Sequence, residues 1–170
     1  LSKILGELML LVENDKRAPE WAIALASGKI PFYVPPNVFI MGLMNTADRS
    51  LAVVDYALRR RFAFVDLKPK IGALRFRHEL DQFGINSLVI DALVNRVSAL
   101  NNEIVSDVGN LGPGFAIGHS FFCAGPADGE DGPAWYARVI RTEVAPLLRE
   151  YWFDAPSKAH SWEEQLLAPI

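Results

Sequence analysis

Asn45 stands where an apolar run ends, and Arg59, Arg60 and Arg61 close the helix-like stretch that follows it. A neutral amide donates and accepts without titrating, which suits contact with a γ-phosphate or an attacking water. A planar guanidinium offers paired donors to phosphate oxygens and stays charged when partly desolvated. Delivered from a neighbouring subunit, such a group stabilises charge developing on a transferred phosphoryl group. Consecutive arginines on a helix cannot all point one way, so Arg60 and Arg61 are the candidates to face a phosphate and Arg59 is the structural one. Thr46, Asp48 and Arg49 fill the polar tip after Asn45, where Asp48 and Arg49 either hold the loop or reach across a subunit boundary. Asp55 can orient an arginine. Plainer roles stand beside these: Asn45 satisfying backbone groups at a strand end, Asp48 as a local ion pair or helix cap, and the arginines as a solvated basic patch.

The elements needed to hold these groups are legible around them. Val38 to Met44 is nearly continuous in apolar residues, as in a buried parallel strand. Ser50 is a fitting N-cap for a helix from Leu51 to Arg60, with arginines at its negative end. Phe62 to Leu67 reads as a second strand, stopped by Lys68-Pro69. Strand, polar tip, helix, cationic tip and strand place the candidates at one edge of an open α/β sheet, where ligands of such sheets bind. Upstream, Leu1 to Glu13 has helical spacing, and Trp21–Leu25 with Ile30–Val34 reads as a β-hairpin. After Ile71-Gly72 the composition turns helical: Ala73 to Phe83, Ser87 to Val105, a Gly-rich irregular stretch from Asp107 to Gly132, then Ala134 to Trp152 and Ser161 to Leu167. The expected fold class is therefore α/β over residues 1–72 followed by an all-α domain over residues 73–170.

Totals limit the function classes. With 170 residues, 51% hydrophobic and 22% charged, the chain has the composition of a folded domain rather than a disordered tail. A net charge of −3 gives no global field toward nucleic acid or an anionic membrane, so the arginines matter locally. The single cysteine, Cys123, permits no internal disulfide and fits a reducing, cytoplasmic setting. The long uncharged stretches are broken by Pro and Gly, so no membrane span is expected. His78 and His160 lie far apart in sequence with no Cys or carboxylate at metal-ligand spacing, and no metal site is expected. The sequence opens on Leu1 inside a helical pattern and is expected to be a piece of a longer protein.

Met44-Asn45-Thr46-Ala47-Asp48-Arg49-Ser50 followed by Leu58-Arg59-Arg60-Arg61-Phe62 resembles the signature of the AAA+ motor subunits of 5-methylcytosine-specific restriction systems, the McrB-type GTPases. Leu1 to Met9 resembles the helix that follows the Walker B acids in that family, and Phe115-Ala116-Ile117-Gly118-His119-Ser120-Phe121-Phe122 resembles a motif of its C-terminal lid. The resemblance implies the second half of an AAA+ P-loop NTPase core followed by a helical lid. It implies a hexameric ring using GTP (or ATP) with magnesium in the full-length protein, a nuclease subunit as partner, and DNA bound through a separate domain. Asn45 would sense the γ-phosphate and Arg60 or Arg61 would act on the neighbouring subunit's nucleotide. Gly118-His119-Ser120 would lie near the nucleotide or the subunit seam, or serve as a structural turn. No Gly-x-x-x-x-Gly-Lys-Ser/Thr occurs, and no apolar run ends in paired acids. The chain alone is therefore expected to hydrolyse nothing. Two other readings stay open: a MoxR-like, ATP-driven AAA+ remodelling chaperone, and a non-enzymatic module whose arginines bind an acidic partner.

Overall fold

The computed structural model describes residues 6, 8–25, 30–45, 47 and 56–170. It divides into two units, Leu1–Asp66 and Leu67–Ile170, each with its own packing. In the first, the helical turn α1 (Leu8–Leu11) buries Met9 and Leu11, and Val12 and Val34 are buried with them. Two 3₁₀ turns, Asn14–Lys16 and Pro19–Trp21, lead into the expected hairpin. Its strands β1 (Ile23–Ala24) and β2 (Pro31–Phe32) pair antiparallel, with Ile23 opposite Phe32 and Ala24 opposite Pro31. Helix α2 (Tyr56–Arg59) is the described end of the helix expected from Leu51; residues 51–55 lie outside the described residues.

The two parallel strands expected at Val38–Met44 and Phe62–Leu67 are corrected here. Neither joins a ladder among the described residues, where the only sheet is the two-stranded hairpin. Yet Phe39, Met41 and Leu43 are 90–92% exposed while Val38, Ile40 and Met44 are 40–44% exposed. That alternation is strand-like. A parallel strand needs hydrogen-bonded neighbours and covered faces, and the described residues supply neither.

The second unit is helical. Its elements are α3 (Leu74–Gln82), α4 (Ser87–Ser106), α5 (Gly132–Val139), α6 (Ala145–Tyr151) and α7 (Pro156–Leu166). Asn86 caps α4, its side chain accepting from the Val89 N–H at 3.0 Å. From there Val89, Ile90, Leu93, Val94, Val97, Leu100 and Ile104 form one buried stripe. Asp131 caps α5 through Ala134 N–H at 2.8 Å, and α5 runs through a π-helical turn, Ile140–Val144, into α6. Pro146 accounts for that turn: it has no N–H to give the Thr142 carbonyl, so the α-ladder cannot continue regularly past it. The last helix begins at Pro156, earlier than the expected Ser161, because proline's fixed φ suits a helix's first turn. Ile71 is 4% exposed within this helical core, which is why residues 67–72 go with the second unit.

The Gly-rich stretch is ordered by specific ties. Gly112 has φ +115°, a backbone only glycine adopts freely, and its N–H returns to the Ile104 carbonyl at 3.1 Å. Asn101 on α4 then acts as a stand-in for a paired strand, donating to the Ile117 carbonyl (2.9 Å) and accepting its N–H (2.6 Å). Glu130 grips Arg138 in a bidentate pair (2.7 and 2.8 Å) and accepts the Ala127 N–H at 3.0 Å. The Arg138 hydrogen bonds, with that backbone donor, hold its carboxyl down at about 2 against a usual 4.5.

A pH prediction follows. A carboxyl whose folded pKa is depressed adds stability that is present above its unfolded value and is lost as pH falls through the folded one. Thermal melts followed by circular dichroism between pH 5 and pH 2 should show the stability of the helical unit draining across roughly pH 4.5 to 2. Glu130→Gln should shallow that slope. Equal slopes in both proteins would remove Glu130 from the account.

Candidate functional site

In the first unit the C-terminal end of α1 is the organising point. Arg17 donates through Nε and Nη2 to the Val12 carbonyl (3.3 and 3.1 Å) and through Nη1 to the Val38 carbonyl. It thus fixes where the apolar run toward Asn45 starts. Next to Val12, the Glu13 carboxylate pairs with Arg61 at 2.5 Å, and the Arg61 side chain is only 11% exposed. One short helical end thus holds the start of the apolar segment that leads to Asn45 and one member of the arginine trio. Neither Glu13, the last residue of the expected helical stretch, nor Arg17 was among the expected site residues. A charged pair bracketing the turn Asn14–Lys16 was the available signal.

The three arginines separate by role. Arg59 lies over the Phe64 ring at 5.6 Å. Arg61 is the partner of Glu13. Arg60 closes the turn by its N–H to the Tyr56 carbonyl at 3.3 Å and is exposed. Asn45 is exposed as well, and its Oδ1 accepts the Ala47 N–H at 3.0 Å, forming a tight turn at the end of the apolar run. Thr46, Asp48, Arg49 and Asp55 lie outside the described residues.

In the second unit His119 opens the 3₁₀ turn His119–Phe122. Its Nδ1 accepts the backbone N–H of Lys70 at 3.3 Å, and its ring meets Phe76 edge-on, 5.8 Å apart at 75°. These contacts make it a structural contact of the helical unit. A separate cleft of about 410 Å³ lies where α4 ends against Trp152, lined by Glu103, Asp107, Asp154 and Lys158. Lys158 occupies it electrostatically, 2.6 Å from Glu103, 3.7 Å from Asp107 and 4.7 Å over the Trp152 ring. The Trp152 indole N–H, with Lys158, holds the Asp107 carboxyl below the usual carboxylate range. Three carboxylates against one lysine leave the cleft acidic.

Residues 92–160 match the family described as McrB, alpha-helical lid domain. Over 171 aligned residues the chain is 47% identical to the "Type IV methyl-directed restriction enzyme EcoKMcrB subunit" of Escherichia coli (strain K12). This is a McrB-type chain. The alignment covers 98% of it and 37% of the E. coli protein, so the chain spans little more than a third of that relative's length. The McrB lid match takes in most of α4, the Gly-rich stretch, α5, α6 and the start of α7. Asn101, Glu130 and His119 are therefore lid residues of a McrB-type chain. No helix among the described residues is long and apolar enough to cross a membrane.

Proposed function

We propose that this McrB-type chain is part of a nucleotide-hydrolysing ring motor of a modification-dependent DNA restriction system. The motor is a cytoplasmic hexamer, uses GTP in preference to ATP, drives DNA translocation and activates a partner nuclease subunit. DNA is read by a domain elsewhere in the parent protein. The observation that carries this reading is the 47% identity to a restriction-enzyme subunit across 98% of the chain. The lid match also favours it over the remodelling-chaperone reading.

Within the motor, Asn45 serves as the strand-tip sensor. Its oxygen is engaged by the Ala47 N–H, so Nδ2 is the half of the amide that donates to a γ-phosphate oxygen. Arg60 is the trans-acting guanidinium, and the Arg61–Glu13 pair sets its position. Asp48 and Arg49 belong to the nucleotide-facing loop, with Thr46, Asp55 and Arg59 supporting it. The exposed amide and guanidinium fit an anionic phosphate. Magnesium, which neutralises phosphate charge when bound, finds no cluster of three His, Cys, Asp or Glu among the described residues. Its ligands are assigned to the rest of the parent.

The test is turnover of GTP and ATP, in parallel, by the full-length protein carrying Asn45→Ala or Arg60→Ala. Each variant should be inactive alone, and mixing them should restore part of the activity, since some subunit boundaries then combine an intact sensor with an intact arginine. Wild-type turnover untouched by both substitutions would overturn the assignment. GTP preference decides the restriction reading against the ATP-driven one.

A further inference from the structure

The joint between the two units is narrower than the chain's irregular backbone suggests. Asp66, Leu67 and Lys68 are exposed, Leu67 at 88%, and they precede Pro69. From Lys70 onward the chain is fastened to the helices at three points. The Lys70 N–H donates to His119 Nδ1 at 3.3 Å. The Lys70 carbonyl accepts the Ala73 N–H at 3.0 Å, in the turn that opens α3. Ile71, between them, is 4% exposed in the helical core.

His119 is itself fixed from two sides. Phe76 of α3 packs edge-on against its ring, and its carbonyl accepts the Cys123 thiol at 3.4 Å. The imidazole is thus held by its own short turn and by α3 and aimed at one backbone amide. That amide is the first one after the proline that ends the free stretch.

We propose that His119 is a positioning clamp that makes residues 70–73 move with the lid and confines the joint between the units to residues 66–69. In the ring motor, on whose reading this consequence rests, a short joint passes lid movement on to the arginine-bearing unit. A loosened joint absorbs it.

The test is hydrogen exchange of the full-length protein, read on peptides spanning residues 66–73, beside steady-state nucleotide turnover. In the wild type the Lys70 amide should be protected and the amides of 66–68 should exchange freely. An unprotected Lys70 amide in the wild type overturns the clamp before any variant is made. His119→Leu keeps apolar contact with Phe76 and removes the acceptor. It should speed exchange at Lys70 about five- to tenfold, the effect of losing one hydrogen bond. His119→Asn, which can place an oxygen where Nδ1 sits, should restore protection.

Turnover should fall in the Leu variant through kcat, with KM for nucleotide unchanged, and recover in the Asn variant. Unchanged exchange in His119→Leu overturns the clamp. Released exchange with normal kcat overturns its mechanical consequence. A wild type that turns over no nucleotide sinks the motor reading and leaves the clamp to be judged by exchange alone.

Discussion

Arg60→Ala lowers nucleotide turnover by the full-length protein about a thousandfold, the low end of the range for losing a trans-acting arginine, and leaves nucleotide affinity within a few-fold. The expectation rests on how the trio divides. Arg61 is spent on Glu13 and is mostly covered, and Arg59 lies on Phe64. Arg60 is exposed on the same short turn. A group that meets the phosphoryl oxygens only as charge develops should change kcat rather than ground-state binding. Arg60→Lys should recover little, because an ammonium cannot reproduce the paired, planar donors of a guanidinium. Arg61→Ala should act differently. Removing it leaves the Glu13 carboxylate without this partner, so its loss should appear in the stability of the first unit as well as in rate. Nucleotide binding by titration and turnover under saturating nucleotide separate the cases. A loss at Arg60 confined to affinity would show an ordinary phosphate contact and no transition-state role.

How far the sequence could be read depended on the range of the forces involved. Helices α4 and α5 carry signals of their own: Asn86 and Asp131 are side-chain caps, and the α4 stripe repeats at helical spacing. The break at Ile140–Val144 was hidden, because one proline inside a strongly apolar helical pattern looks like part of the run. The start at Pro156 was missed, the expected helix beginning only at Ser161. In the first unit the hairpin was legible from turn residues, while pairing of Val38–Met44 was not decided by the segment itself. Its apolarity fits a buried strand, but pairing depends on neighbours remote in sequence, and the described residues provide none. The candidate site follows the same division. Asn45 and the arginines stood out as polar groups beside apolar runs. Glu13, Arg17 and the His119–Lys70 contact join residues through space, and no local spacing announces them.

Trp135→Ala removes about 3–5 kcal/mol from the helical unit. Trp135 is 1% exposed and packs edge-to-face on Phe122, ring centres 6.1 Å apart at 72°. It sits on α5, and Phe122 sits in the His119–Phe122 turn, so this aromatic pair ties the Gly-rich stretch to the helices. Truncation forfeits the buried area and also leaves a void that the neighbours cannot fill, because Tyr136 and Phe122 are themselves fully packed. Domains of this size hold only about 5–15 kcal/mol in total, so the loss is a large fraction. Urea unfolding followed at 222 nm should show the midpoint falling sharply with the slope unchanged. The loss should also loosen the turn that carries His119, so Lys70 exchange should quicken in this variant too. It would do so together with lid amides generally, whereas His119→Leu releases Lys70 alone. That contrast separates a weakened fold from a released clamp. A Trp135→Ala unfolding free energy within about 1 kcal/mol of the wild type would mean that the lid core re-closes around the gap, against the close packing that makes such voids costly.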